Sequence, residues 1–237
     1  MTPSVFVLAF FLYGIIVYVT KRALYPFDKE LLSSPIAEWQ CGHEHALIVS
    51  PDYWWAFRFK SRIKGRVPNA CMKEVLKSYV ETNNKFNLLF SIVLAIVCLV
   101  LYCFIPSFLL SQTLFATAVI RFFSRSYEIA YAFGCDVFQL HESSTGLKKH
   151  ERIRLALFSY FEIFFYTAAA YTTLPTIDSA SQAVTLALNV GTLTNVGYAF
   201  AESGASFVTN IIFVQVFATL SLVVLSLAAY LSRNENT

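Results

Sequence analysis

The chain has 237 residues, of which 57% are apolar and only 14% charged, with 23 phenylalanines and a formal net charge of +3. An average soluble domain carries about 25% charged residues, and this chain has several uncharged stretches near the roughly 20 residues that cross a bilayer as a helix. That balance excludes an ordinary soluble domain, and so small a net charge gives no reason to expect nucleic acid as a partner.

The first apolar segment runs from about Pro3 to Thr20 and ends on Lys21-Arg22. A secretory signal would carry its charges before the apolar stretch. Here they follow it, which predicts an uncleaved helix with its C-terminal end in the cytoplasm. Residues 21–85 hold eleven Lys and Arg residues against seven acidic ones, so the positive-inside rule keeps them inside as well. Within them, Ala70–Val80 has an amphipathic pattern. Tyr53-Trp54-Trp55 followed by Arg58, Lys60, Arg62 and Lys64 fits either a segment lying on the anionic inner leaflet or a small folded loop with a solvated basic face.

Asn87–Ile105 is uncharged, Pro106 breaks the helical pattern, and Ser107–Phe123 is apolar up to Arg121. This predicts a tight hairpin of two membrane helices, with Arg121 snorkelling to the cytoplasmic interface as an anchor. The hairpin places both the 21–85 region and the Lys148–Arg154 cluster inside, which favours five spans over four. Ser124–Phe133 continues the preceding helix below the membrane, and Glu142–Gly146 reads as a loop. Arg121 and Arg125 are two cations near a helix end, fewer than the regular series a voltage-sensing helix carries.

Leu155–Leu174 is the next span, and Pro175 closes it. Glu162 lies inside it, and an intramembrane carboxylate is costly and often functional. Arg121 or Arg125 is a candidate partner; a packed glutamate bonded to a Tyr or Ser is the other reading. Ser179 and Gln182 then have capping-box spacing and start a helix of about thirteen residues, too short to cross a bilayer. A last span covers Ser206–Leu231, with Arg233 at its inner end.

Between that short helix and the last span lies Thr192-Leu193-Thr194-Asn195-Val196-Gly197-Tyr198-Ala199-Phe200. The run resembles the potassium-channel selectivity filter, whose backbone carbonyls replace an ion's hydration shell. Residues Leu155–Leu231 resemble the two-span pore unit of bacterial potassium channels: an outer helix, a pore helix over Ser179–Thr192, the filter, and an inner helix containing Gln215. Asn195 to Ala199 align with Thr-Val-Gly-Tyr-Gly, so the resemblance implies ion coordination by Thr194, Asn195, Val196, Gly197, Tyr198 and Ala199. Asn195 stands where the family has threonine, Ala199 where it has the second glycine, and Phe200 where an aspartate is usual.

The resemblance implies an all-α membrane protein, a helical bundle with a re-entrant pore helix, assembled as a homotetramer in the lipid of a cell inner membrane. Its divisions are 1–22, an N-terminal membrane helix; 23–85, a cytoplasmic basic region; 86–124, the hairpin; 125–154, a cytoplasmic linker; and 155–232, the pore unit. The function implied is passive cation conduction, with potassium as the permeant ion and no cofactor. A non-selective cation channel, or a non-conducting accessory protein that keeps the fold, stays open as the alternative. No enzyme motif occurs: there is no serine elbow, paired His-Glu helix or phosphate loop.

Two further features are weaker. Cys41, His43 and His45 place three metal-ligand types together, but a structural zinc site takes four and the spacing matches no signature; an ordinary turn is the competing reading. The five cysteines are odd in number and read as small buried hydrophobes rather than a disulfide framework.

Overall fold

The computed structural model describes residues 3–24, 50–66, 69–105, 108–137, 146–174, 176–197 and 206–223. They are helical, with no strand among the described residues. In chain order the helices are α1 (Pro3–Ala23), α2 (Pro51–Arg66), α3 (Asn69–Phe104), α4 (Leu109–Val137), α5 (Lys149–Tyr171), α6 (Ala180–Gly191) and α7 (Ser206–Leu220).

Among the described residues three stretches are long and apolar enough to cross a membrane: Pro3–Ala23, Cys71–Phe104 and Lys149–Tyr171. On α1 the buried side chains are Val5, Ala9, Tyr13, Val17 and Lys21, a stripe at four-residue spacing. Its opposite face exposes Val7, Leu8, Phe11, Ile15 and Val19. Apolar side chains on the outer face suit lipid and not water, so the helix is inverted relative to a soluble one. Helices α3 and α4 lie on either side of the expected break at Pro106 and pack together, but of the two only α3 is long and apolar enough to cross a membrane. α4 is less apolar because it carries Arg121, Arg125 and Glu128.

Two expected boundaries fall inside continuous helices. α3 runs unbroken for 36 residues, about 54 Å at 1.5 Å per residue, well beyond the ~30 Å hydrocarbon core. The 85/86 division therefore lies within it. α4 likewise continues through 124/125 to Val137. The lower part of α3 is tied to the start of α5 by Lys77–Glu151 at 2.5 Å and Arg154–Glu81 at 3.3 Å. Against it lies α2, whose Phe59 and Ile63 pack on Leu76 and Tyr79. Of the basic region, α2 is thus folded onto α3, with Arg58 held over the Trp54 ring at 4.0 Å.

α5 is the hub: it packs against α3, α4, α6 and α7, while α1 packs against α4 and α2. Ile163, Tyr166, Ala168, Ala169, Ala170 and Tyr171 of α5 lie in the main core, where the small alanines let neighbouring helices approach closely. Of the cysteines, Cys98 is buried as expected, but Cys71 and Cys103 are exposed. Cys103 lies near the end of α3, beyond the packed part of the bundle, beside exposed Phe104 and Ile105.

Candidate functional site: a short capped helix and a buried ion network

α6 begins at Ser179, whose extended backbone (φ −148°) and Oγ, accepting from the Gln182 amide at 3.2 Å, make an N-cap. The Gln182 side chain turns back as well, but accepts from the Asp178 N–H at 2.9 Å instead of the Ser179 N–H. The expected reciprocal box is therefore displaced by one residue. Just before the cap, the Ile177 carbonyl accepts from the Tyr102 hydroxyl, two residues from the end of α3. The other end of α6 lies elsewhere. The Gly191 carbonyl accepts from the Tyr160 hydroxyl at 3.1 Å, and Tyr160 is eleven residues from either end of α5. The 12-residue helix, about 18 Å long, thus runs from the end of the α3–α4 hairpin to the middle of α5.

The last carbonyls of a helix lack intrahelical partners, and here each is met. Leu188 O accepts from the Thr192 N–H and hydroxyl at 2.9 and 2.8 Å, and Val190 O accepts from the Leu193 N–H at 3.1 Å. Asn189 O accepts at 3.5 Å from the hydroxyls of Thr192 and Thr194, which also touch each other at 2.8 Å. Leu193 and Asn195 have φ of 58° and 54°. Asparagine tolerates this left-handed region, whereas for leucine it costs roughly 1–2 kcal/mol. Thr192, Leu193, Thr194, Asn195 and Gly197 are exposed, while Val196 packs against the core.

Val196 and Gly197 are helical. Helical carbonyls point along the helix axis, so these two do not form an extended row of ligands in the single chain. A Cβ added at Gly197 would meet nothing within 4 Å. Tyr198 and Ala199 lie outside the described residues, as do Cys41, His43 and His45. Among the described residues no group of three His, Cys, Asp or Glu side chains is placed to hold a metal.

A second constellation lies in the bundle itself, and sequence reasoning found half of it. Glu162 is fully buried and receives Arg125 through two bonds, Nε–Oε1 at 2.6 Å and Nη2–Oε2 at 2.8 Å. Arg125 also pairs with Glu128. Of the two partners expected for Glu162, Arg125 is the one in place. Arg121 takes a different position from the expected interfacial anchor. It is 3% exposed, four residues above Arg125 on the same face of α4. Its Nη1 reaches Asp52 at 2.6 Å, its Nη2 reaches Asn87 Oδ1 at 3.0 Å, and its Nε donates to the Tyr166 hydroxyl at 2.9 Å. The rings of Tyr13, Phe90 and Tyr166 surround the guanidinium, with centroids at 5.5, 5.2 and 5.4 Å. Snorkelling requires a path to water, and these groups close it.

Asp52 is the residue the sequence did not reveal. It lies in the first turn of α2, and the packing of α2 on α1 and α4 carries it into the bundle. Tyr13 donates to it, and Lys21 lies 3.7 Å away, itself bonded to Asn83 at 2.8 Å. Burial pushes the Asp52 carboxyl up, but Arg121 and then Lys21 and Arg125 outweigh it and hold the group below the ordinary carboxylate value. Glu128 behaves alike: burial raises it, and Arg125 and Lys21 bring it below its usual range. The three cations Lys21, Arg121 and Arg125 thus face the three anions Asp52, Glu128 and Glu162. The only sequence signal for Asp52 was an acidic residue amid the aromatics and bases of 50–64, which reads equally as a solvated helix start.

No protein-family model, no curated protein and no solved structure matches this chain.

Proposed function

We propose that this chain is one subunit of a homotetrameric cation pore of the potassium-channel kind, set in a cell inner membrane. The observation that carries this reading is the Tyr160–Gly191 bond at 3.1 Å. It brings the end of a short helix, and the polar turn that follows, beside the centre of α5, the most buried of the three candidate spans. Non-helical backbone at membrane depth is tolerated only where protein covers it or where it lines a wet cavity. The turn Thr192–Asn195 is exposed in the single chain, so a symmetric ring of copies around a central axis satisfies both conditions. α7 presents Phe213, Phe217 and Leu220 on its exposed face for that assembly. Ions pass the segment Thr194–Ala199, and the partly negative end of α6 favours cations over anions there.

The experiment is potassium and sodium flux into liposomes containing the purified protein, with Gly197→Asp as the matched control. A Cβ at 197 meets nothing within 4 Å, so the substitution meets no clash at that atom, and size-exclusion chromatography of the variant separates a lost pore from a lost oligomer. Potassium flux well above sodium, abolished by Gly197→Asp, supports the reading. Equal fluxes, abolished alike, make the pore non-selective. No flux from a folded oligomer overturns conduction.

One observation favours a second reading, a membrane interaction protein that keeps the pore fold without conducting. Val196 and Gly197 are helical, and helical carbonyls are committed to their own backbone. Substituting Asn195→Thr and Ala199→Gly together separates the two: flux gained only in the double variant marks a pore fold that conducts poorly by design of its filter.

A further inference from the structure

We propose that Gln215 is the residue that positions the Thr192–Asn195 turn and so sets which cation it passes; this rests on the pore reading above. Gln215 is fully buried in the middle of α7, among Ile211, Ile212, Val214 and Ala218. A primary amide in so apolar a stretch is costly unless its groups are bonded, and here they join three helices at one point. Its Nε2 donates to the Ala187 carbonyl of α6 at 2.9 Å, and its Oε1 accepts from the Tyr171 hydroxyl of α5 at 2.7 Å. The orientation of the amide follows from chemistry. A backbone carbonyl only accepts, so nitrogen must face Ala187, oxygen must face Tyr171, and the phenol must donate.

Gly191 completes the arrangement. A Cβ there would lie 3.2 Å from Gln215 Nε2, closer than a side chain packs without moving its neighbour. Glycine at 191 and glutamine at 215 are therefore matched: the first leaves the space that the second fills. The last turn of α6 is consequently held from two sides, by Gln215 at Ala187 and by Tyr160 at Gly191. Thr192 follows directly, and its hydroxyl is bonded back to Leu188. The Gln215 amide is thus linked to the turn through the α6 backbone and the Thr192 hydroxyl, a path by which a shift of α7 reaches the turn.

Cation discrimination depends on how coordinating oxygens are spaced and how freely they adjust. A clamp that fixes the turn from behind acts on that spacing without touching the ion. Gln215 is thus a positioning residue, and the same linkage makes any displacement of α7 a displacement of the turn.

The test uses full-length protein in liposomes, reading the potassium-to-sodium permeability ratio per assembled oligomer. Gln215→Met keeps the volume and removes both hydrogen bonds; the ratio is expected to fall about fivefold, the factor one ordinary buried hydrogen bond is worth. Tyr171→Phe removes only the hydroxyl and is expected to shift the ratio in the same direction by less. Gly191→Ala, which pushes the amide away, is expected to resemble Gln215→Met. A purely structural role would lower the yield of oligomer and leave the ratio of the surviving oligomers unchanged, and that result overturns the assignment. Where Gln215→Met does not assemble, Tyr171→Phe decides: a wild-type ratio from it also overturns the assignment. A wild-type ratio near one leaves nothing for Gln215 to set and overturns it while the pore stands. No wild-type flux overturns the pore reading and this assignment with it.

Discussion

Arg125 of α4 and Glu162 of α5 meet through two parallel charge-assisted hydrogen bonds, Nε–Oε1 at 2.6 Å and Nη2–Oε2 at 2.8 Å, with neither side chain reaching the surface. A planar guanidinium fits a carboxylate in this way and a lysine would not. Removing one partner strands the other in the bundle, which costs about 3–5 kcal/mol. Glu128 also pairs with Arg125 and softens the loss. Glu162→Gln is therefore expected to cost about 3 kcal/mol, the lower end of that range, seen as a reduced melting temperature in detergent. Arg125→Met, Glu128→Gln and Glu162→Leu together should recover part of it, since an apolar pair carries no desolvation penalty and Glu128 would otherwise be left without its cation.

Asp52 predicts a local effect. Its pairing with Arg121 holds the start of α2 inside the bundle. Asp52→Asn leaves a buried cation without its counter-charge. The opening of α2 should then become more frequent, and trypsin cleavage after Arg58, Lys60, Arg62 or Lys64 at least about tenfold faster. Cleavage at the wild-type rate would mean α2 is held by Phe59 and Ile63 alone.

Acid should act through the same groups. Asp52 and Glu128 are held below their ordinary values in the folded chain. A carboxylate with a depressed folded value contributes stability that is fully present above its unfolded value of about 4 and is lost as pH falls through the lower, folded value. Melting temperature should therefore be flat in these terms from pH 7 to about 5 and drop steeply below pH 4. The drop should be smaller in Asp52→Asn, which has one fewer proton to take up.

The N-cap of α6 offers a milder test. Ser179→Ala removes the acceptor for the Gln182 amide, and losing such a cap costs about 1 kcal/mol. A small fall in melting temperature is expected, with the oligomer intact by size-exclusion chromatography. Gln182→Ala should add to it, because that side chain bonds the separate Asp178 N–H.

Topology can be read from thiols. Cys71 and Cys103 are exposed near opposite ends of α3, and Cys98 is buried between them. In single-cysteine variants, a membrane-impermeant maleimide should label Cys103 from outside intact cells and Cys71 only in inverted vesicles. Cys98 should stay unlabelled until the protein is unfolded. Labelling of both ends from one side would overturn the orientation read from the basic residues.

Three of the five expected spans, the pairing of α3 with α4 and the start of α6 at Ser179 were legible in the sequence, because hydropathy, helix-breaking Pro106 and capping chemistry are local properties of neighbouring residues. The cost of an intramembrane carboxylate marked Glu162 and offered two arginines one turn apart as partners, beside the other reading of a packed glutamate bonded to a Tyr or Ser. Only the tertiary structure chose Arg125, since which arginine faces α5 depends on the rotation of α4. The same limit hid the roles of Asp52, Arg121, Tyr160 and Gln215. An arginine near the end of an apolar segment has one sequence signature whether it reaches water or is enclosed by Tyr13, Phe90 and Tyr166. Asp52 meets Arg121 across 69 residues and Tyr171 meets Gln215 across 44. Contacts at such separations are set by how whole helices pack, and it was this packing that carried a residue of α2 into the bundle and joined α7 to the end of α6.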